Sequence, residues 1–137
     1  MSQNIITQAG AKRILSLANA SILNTWAVGL WQNNYLPNYL TTFASLVEST
    51  FPGYARTFQS WGVGTFGQGG ILTQGGRNYM CTASTPLQYI YGYFILDTVS
   101  SDLILVRRFD DGPFPIQHAG DGYAFTAQFD AVSQYLA

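Results

Sequence analysis

The side chains best suited to acid–base chemistry lie in one segment near the end of the chain. His118 is the only histidine, and Asp110, Asp111 and Asp121 lie close to it in sequence. An imidazole beside a carboxylate can act as a general base, and grouped carboxylates can bind a cation. The spacing matches no fixed ligand pattern, and no nucleophile is adjacent. Because Asp is also a common turn residue, a polar turn between two strands explains this segment better.

Two further features could carry chemistry. Cys81 lies inside a predicted strand, where a buried structural cysteine is the default and a catalytic thiol would need His118 close by. The segment GVGTFGQGGILTQGG, residues 62–76, holds seven glycines but lacks the GxxxxGK[ST] pattern of a phosphate-binding loop. We interpret it as an adaptable loop. The sequence therefore predicts a protein that is not an enzyme, with no catalytic residue, metal site or cofactor.

The aromatic stretch YIYGYFIL, residues 89–96, has no charge and only one residue, Gly92, that is not apolar. Strand alternation would place Tyr89, Tyr91 and Tyr93 on one face and a core-forming set on the other. The tyrosine face could stack on sugars or bases, or it could pack beneath an N-terminal helix. Tyrosine is amphipathic and common where subunits meet, so we predict a subunit interface.

Composition favours the same interpretation. The chain has 137 residues, of which 47% are hydrophobic and 9% are charged, against roughly a quarter charged in ordinary soluble proteins. A surface of uncharged Gln, Asn, Ser and Thr would explain this shortage. The alternative, which we favour, is that other copies or other proteins cover much of the surface, because interface cores are poor in charge and rich in aromatic residues. The formal net charge of −1 would not keep copies apart.

Several classes of protein are disfavoured. Six basic residues, which never form a run longer than a pair, do not make a nucleic-acid-binding surface. The longest apolar stretches are too short to span a bilayer, so we expect no membrane partner. The N-terminal residues lack the features of a secretory signal, and a single cysteine cannot form an internal disulfide.

The elements that must position these residues are mostly strands. Residues 7–18 have apolar side chains at helical spacing, with Thr7 as the cap and Gly10 as a weak point. Strand character follows at residues 25–32, 53–61, 77–84, 88–98 and 102–110, with a hairpin turn at 99–101, and again at 122–131. Residues 44–51 fit either a strand or a single helical turn, residues 51–53 fit a turn, and 112–122 fit a turn-rich crossing.

This pattern predicts a single domain over residues 1–137 that is mainly β. Residues 1–24 would form an N-terminal arm and helix, and residues 25–137 would form a β domain containing the glycine-rich loop 62–76. Short strands separated by Gly, Pro and Asn turns indicate an antiparallel β-sandwich or barrel, jelly-roll-like in character. The predicted interface residues are the exposed aromatic candidates and the apolar residues of the loop: Tyr89, Tyr91, Tyr93, Trp31, Phe66, Ile71 and Leu72.

Four segments resemble small virion-associated structural proteins of tailed bacteriophages: TQAGAKRIL, LWQNNYLPNYLTTFASLVESTFPGYARTFQSW, YGYFILDTVSSDLILVRRFDDGP and GDGYAFTAQFD. The resemblance covers most of the chain apart from the glycine-rich loop, and its motifs are structural. It implies a virion protein, assembled in the host cytoplasm, that decorates or cements a capsid or belongs to a tail, neck or fibre attachment. Its implied partners are other copies of itself, the major capsid protein or other virion proteins, and capsid geometry favours trimers.

Two functions of other classes stay open at this point. A glycan-binding module would use Tyr89, Tyr91, Tyr93 or Trp31 as stacking surfaces. An enzyme would use His118 with Asp121.

Overall fold

A computed structural model of the chain describes residues 5–10, 26–58, 62–63 and 71–130, with the backbone alone at 62–63, 71–77 and 126–130. The described strands are β1 (Ile5–Ile6), β2 (Trp26–Trp31), β3 (Thr57–Phe58), β4 (Gly62–Val63), β5 (Ile71–Met80), β6 (Gln88–Ile90), β7 (Gly92–Asp97), β8 (Leu103–Arg108), β9 (Phe114–Ile116) and β10 (Gly122–Asp130). A 3-10 helix spans Phe43–Ser45.

The strands form three sheets. A five-stranded sheet has the order β1-β8-β7-β2-β3, a three-stranded sheet the order β10-β5-β4, and β6 pairs with β9. All of these pairings are antiparallel. The predicted fold class, mainly β with a short helix, is confirmed; the sheets lie in a sandwich-like arrangement and do not close into a barrel.

Both faces of the five-stranded sheet are covered by the chain itself. The larger core lies toward the other two sheets and contains Ile6, Trp26, Val28, Leu30, Phe51, Tyr79, Cys81, Ile90, Tyr93, Ile95, Ile104, Leu105, Phe109 and Ile116. The smaller core lies on the opposite face and contains Trp31, Leu46, Phe94, Leu96, Leu103 and Val106, with Tyr35 and Phe43 packed against it. All six residues of β7 are therefore buried. Burial on both faces explains why β7 lacks the polar alternation of a half-exposed strand.

The aromatic stretch is two strands, and its prediction as a single strand is wrong. β6 and β7 belong to different sheets and are separated by Tyr91. Ile90 and Tyr93 contact the larger core, whereas Tyr91 and Phe94 contact the smaller one. Simple alternation fails because the chain changes sheets at this point. Gly92 lies directly opposite Trp31, and a Cβ there would collide with the Trp31 ring and with the Arg107 carbonyl.

The predicted helix start is confirmed. Residues 8–10 are helical, and the Gly10 N–H donates to the Thr7 Oγ1 at 2.9 Å, which is an N-cap contact. The Thr7 hydroxyl also donates to the Leu103 carbonyl, joining the helix start to β8. Gly10 has a packing role, because a Cβ there would collide with the Ile104 backbone. The rest of the predicted helix lies outside the described residues.

The glycine-rich segment is not a continuous loop, so this part of the domain prediction is wrong. Its two ends are strands: β4 begins at Gly62, and β5 begins at Ile71 and runs through Gly75 and Gly76. Pairing with β10 supplies the hydrogen bonds, and the register shifts by one residue in this glycine-containing stretch. Glycine in a strand often marks such a bulge. Nonlocal pairing thus overrides the local preference of glycine for loops.

The predicted hairpin between β7 and β8 is confirmed. Its turn, which we call the hairpin tip, comprises residues 98–102. Asp97 is fully buried, and its Oδ1 accepts the N–H groups of Val99 and Ser100 at 3.0 and 3.3 Å. Ser101 has a φ of 63° and donates its N–H to the Asp97 carbonyl. These local bonds hold the tip in one conformation.

Other local predictions have mixed outcomes. The turn at Phe51–Gly53 is confirmed, since the Tyr54 N–H donates to the Phe51 carbonyl and Gly53 has a φ of 90°. Residues 44–51, which fitted either a strand or a helical turn, contain short forms of both. The 3-10 helix ends at Ser45, and Glu48 then forms an isolated β-bridge with Trp31. The crossing predicted at 112–122 contains the strand β9.

Candidate functional site

Two of the predicted interface residues belong to the interior of the chain. Trp31 has no exposed surface and Tyr93 is 2% exposed. The Tyr93 ring stacks on Phe125 of β10, with centroids 4.7 Å apart, and contacts Phe109 at 6.2 Å. The prediction that these two residues form a subunit surface is therefore wrong, because the second sheet and the opposite core cover them. Of the four aromatic candidates outside the glycine-rich segment, Tyr89 and Tyr91 remain.

Tyr89 and Tyr91 lie at the point where the chain leaves the five-stranded sheet. Tyr89 is 42% exposed and pairs across β6 and β9 with Pro115, whereas Tyr91 is half-buried. The two rings are in contact, with centroids 6.5 Å apart and an angle of 56° between their planes. The exposed face of Tyr89 and the rim of Tyr91 therefore form one aromatic surface.

Arg108, at the end of β8, extends this aromatic surface with a positive charge. Its guanidinium lies over the Tyr91 ring, 5.1 Å from the centroid, and its Nη1 donates to the Tyr35 carbonyl at 2.9 Å. The next residue, Leu36, is 78% exposed. We call Tyr35, Leu36, Tyr89, Tyr91 and Arg108 together the tyrosine–arginine patch. A cation held against an aromatic face and a carbonyl loses little freedom on binding a further partner.

Amide and hydroxyl contacts fix β6 beside this patch. The Gln88 Nε2 donates to the Thr50 Oγ1 at 3.0 Å, and the Thr50 N–H donates to the Gln88 Oε1 at 3.2 Å. Gln32 reaches the same segment, donating from Nε2 to the Glu48 carbonyl at 2.9 Å. These bonds join β6, the residue after β2 and residues 48–50, so the backbone that carries Tyr89 is held in place.

A charged network supports the segment behind these bonds. Glu48 accepts two hydrogen bonds from Arg56, at 2.9 and 2.8 Å, and one from the Tyr54 hydroxyl at 2.6 Å. Burial would raise the pKa of Glu48, but the bonds from Arg56 and Tyr54 outweigh that effect and lower the pKa below its ordinary value. Burial and the bond to Glu48 raise the pKa of Tyr54. The Arg56 guanidinium also lies 5.3 Å from the Phe43 ring, so the network is structural.

The three remaining interface candidates come from the glycine-rich segment. Ile71 and Leu72 begin β5, where they pair with Asp130 and Phe129, and their side chains lie outside the described part of the structure. Phe66 also lies outside it. These candidates are not brought to the tyrosine–arginine patch by any described contact, and they remain predictions.

The His118 segment is a structured turn. Asp121 Oδ2 accepts the N–H groups of Gln117 and His118 at 2.9 and 2.8 Å, and lies 3.7 Å from the His118 Nδ1. The N–H bond from His118, followed by that from Gln117, lowers the pKa of Asp121. The imidazole is 70% exposed. This arrangement matches the interpretation of the segment as a polar turn, with the carboxylate occupied by backbone bonds.

Cys81 neighbours this turn through its backbone but not through its thiol. Its N–H donates to the Asp121 carbonyl at 2.7 Å, while its carbonyl accepts the Gly120 N–H at 2.9 Å. The side chain is buried in the larger core, and its Sγ donates to the Ala83 carbonyl at 3.0 Å. The thiol therefore points inward, whereas the His118 imidazole points to solvent.

Three residues of the patch, Arg108, Tyr35 and Leu36, were not predicted from the sequence. Arg108 carried one usable signal: it follows the apolar run of β8, where a charged residue marks the end of the buried part of a strand. Tyr35 carried none, since it is far from Arg108 in sequence and only the fold brings the two together. Aromatic–arginine pairs are enriched where proteins bind one another.

In the part of the chain that the structure describes, no group of three or more His, Cys, Asp or Glu side chains could hold a metal ion. No helix within that part is long and apolar enough to span a membrane. Comparison of the chain with protein-family models, with curated proteins and with solved structures finds no match.

Proposed function

We propose that this chain is a non-enzymatic structural protein of a bacteriophage virion, which decorates or cements the capsid by burying apolar and aromatic surface against its neighbours. The assembly part of the proposal rests on the exposed surface described below. The virion part rests on the sequence resemblance alone. A tail, neck or fibre-attachment protein is the alternative within the same class.

The observation that carries the proposal is the large apolar side chains that remain exposed outside the two cores. Single exposed apolar residues are normal on any protein. Here three of them fall within residues 36–40: Leu36 is 78% exposed, Leu40 68% and Tyr39 42%. Leu36 also belongs to the tyrosine–arginine patch, which adds Tyr89. Exposed apolar residues grouped in this way are typical of a site that a partner covers.

Charge supports the same conclusion. Charged residues are 9% of the chain, and the Glu48–Arg56 pair is taken up by the network behind the patch. Few charges are left to hydrate the exterior, and a net charge of −1 gives copies little mutual repulsion. A protein with such a surface gains free energy when neighbouring subunits exclude water from it.

The glycan-binding alternative loses half of its stacking residues. Of the four aromatic residues that could have formed its platform, Tyr93 and Trp31 are buried. Tyr89 and Tyr91 remain, but their rings are tilted by 56° and Arg108 occupies a face of Tyr91. The geometry therefore favours a protein partner, with its mixed apolar and polar surface, over a flat sugar ring.

Two measurements test the proposal. Particles purified from the phage whose genome encodes the chain should contain it in many copies by quantitative mass spectrometry, and cryo-electron microscopy should locate it on the capsid. Density at the tail or neck would favour the alternative. Absence from particles, together with a monomeric mass by light scattering at micromolar concentrations, would contradict the proposal.

Exposed-leucine variants sharpen this test. Replacing Leu36 and Leu40 with Ser should reduce binding to particles stripped of the protein, because the apolar contact area is lost. Met80, which is 48% exposed and lies in β5 outside residues 36–40 and the patch, is the control, and Met80→Ser should bind normally. Equal binding by all of these variants would remove the 36–40 segment from the interface.

A further inference from the structure

The β7–β8 ribbon presents different chemistry at its two ends. Gly92 pairs with Arg108 at the end that carries the tyrosine–arginine patch, and Leu96 pairs with Leu103 next to the hairpin tip. Arg108 is six positions after Asp102, which at the rise of a strand is about 20 Å. The patch and the hairpin tip therefore lie at opposite ends of the ribbon and cannot contact each other within a single copy.

The patch end offers an aromatic surface and an uncompensated positive charge. Among the described residues, Arg108 contacts the Tyr91 ring and the Tyr35 carbonyl but pairs with no carboxylate. Both contacts hold the guanidinium in place and leave most of its N–H groups available. A guanidinium held in this way binds a carboxylate well, because its planar donors match the two oxygens.

The tip end offers the complementary groups. Val99 is 73% exposed at the apex of the turn. Asp102 lies three residues further along. Its N–H donates to the Ser100 Oγ at 3.3 Å and its carbonyl accepts the Asp97 N–H at 2.9 Å, while within the described chain its carboxylate has no hydrogen bond or ion pair. The bonds that the Asp97 carboxylate accepts from the Val99 and Ser100 N–H groups hold the turn in place, so little conformational entropy would be lost when the turn docks.

We propose that copies of the chain associate head to tail, with the hairpin tip of one copy docked on the tyrosine–arginine patch of the next. Val99 packs on the Tyr89 and Tyr91 rings, and the Asp102 carboxylate accepts hydrogen bonds from Arg108. A second copy is the occupant because the two ends are complementary. The hairpin tip carries an exposed apolar side chain and a carboxylate, and the patch carries an aromatic surface and a guanidinium. Contacts of this heterologous kind build rings or filaments. The inference rests on the proposed function and names the partner at the patch.

Charge reversal tests this contact. Arg108→Asp and Asp102→Arg should each weaken self-association at least about tenfold, measured by sedimentation velocity, because each places like charges at the junction. Mixing the two variants should restore assembly, since both kinds of junction in the mixture then join opposite charges. Wild-type assembly should weaken with added salt. Circular dichroism checks folding, and Arg108→Gln with Asp102→Asn replaces any variant that does not fold, each expected to weaken association about tenfold.

Matched controls use the neighbouring charges. Arg107→Asp and Asp111→Arg make the same changes in net charge away from the proposed junction and should associate like the wild type. The inference is overturned if the single reversals associate normally, if the mixture fails to assemble, if the controls weaken association equally, or if the wild type is monomeric. None of these results changes whether particles contain the protein, so the proposed function is judged separately by mass spectrometry.

Discussion

Tyr93 and Tyr89 are four residues apart in one aromatic stretch, and the fold gives them opposite roles. Tyr93 is 2% exposed and stacks on Phe125 between two sheets. Tyr89 is 42% exposed, and its ring contacts that of Tyr91. The difference comes from Tyr91, where the chain passes from one sheet to another and the alternation of side chains is interrupted. Residue type therefore says little about burial at a strand junction.

Interior and surface aromatic residues have different roles in this protein. Aromatic residues in the interior stabilise the fold through ring contacts between sheets, as in the stacked pair Tyr93–Phe125, which joins β7 to β10. Those at sheet ends leave ring faces exposed and are available to partners. Substitutions in the two regions should separate stability from association.

The largest expected effect is at Tyr93. Tyr93→Ala should lower the free energy of unfolding by about 4 kcal/mol, because it removes a buried ring and leaves a cavity between the sheets. Urea denaturation followed by tryptophan fluorescence measures this change. The matched substitution Tyr89→Ala should change stability by less than about 0.5 kcal/mol. Equal losses at the two positions would contradict the division between core and surface.

A smaller loss is expected at the junction that separates the two tyrosines. Gly92→Ala should cost about 3 kcal/mol, because its Cβ would collide with the Trp31 ring and the Arg107 carbonyl. Gly120 is a control with open space but a φ of 98°, so Gly120→Ala should cost about 1 kcal/mol through backbone strain alone. Thermal unfolding of both variants gives the comparison. A Gly92→Ala protein as stable as the wild type would show that the junction tolerates a side chain.

The charged network behind the patch should have an intermediate effect that depends on pH. Glu48→Gln should cost about 1–2 kcal/mol at pH 7 by weakening the bonds from Arg56 and Tyr54. Folding lowers the pKa of Glu48 below its ordinary value of 4.5, so protons bind more strongly to the unfolded chain. The contribution is complete above pH 4.5 and is lost as the pH falls through the lower, folded pKa.

Urea titrations of Glu48→Gln and the wild type between pH 7 and pH 3 test this sign. The difference in stability between the two proteins should shrink as the pH falls. The Leu40→Ser variant changes an exposed side chain that does not titrate and serves as the control, so its difference from the wild type should not change with pH. A gap at Glu48 that widens in acid would contradict a lowered pKa.

The smallest effect on stability and the clearest effect on association should occur at Tyr89. Tyr89→Ala removes exposed ring surface from the patch, and we expect about tenfold weaker self-association with an unchanged urea midpoint. Light scattering over a range of concentrations measures the mass. Met80→Ala, which shortens a 48% exposed side chain elsewhere, serves as the control. If Tyr89→Ala and Met80→Ala associate alike, the patch has no special role.

Local signals in the sequence predicted several elements correctly. Thr7 caps a helix, Trp26–Trp31 is a strand, and the β7–β8 hairpin forms where Val99 to Ser101 indicated a turn. Each depends on residues close together in the chain, such as Asp97 bonding to the N–H of Val99. The alternating residues of β10 were recognised for the same reason, since period-two patterning is a local property.

Nonlocal contacts decided what local signals could not. The strand through Gly75 and Gly76 exists because β10 pairs with it, although glycine prefers loops. Half of the site was predicted: Tyr89 and Tyr91 were identified. Arg108, whose guanidinium lies over the Tyr91 ring, and Tyr35, whose carbonyl accepts a hydrogen bond from Arg108 across 73 positions, were not. Neither partner shows this pairing in its own sequence neighbourhood.

The sequence by itself determined an antiparallel β protein with a capped helix start and little charge, because composition, turn residues and period-two patterning are written in short stretches. Only the tertiary structure decided which aromatic residues fill the core and which remain exposed. That choice depends on where the chain changes sheets and on which distant strand covers each face. The residue types in an apolar stretch are compatible with either face being buried, and the packing of the second sheet decides which face is covered.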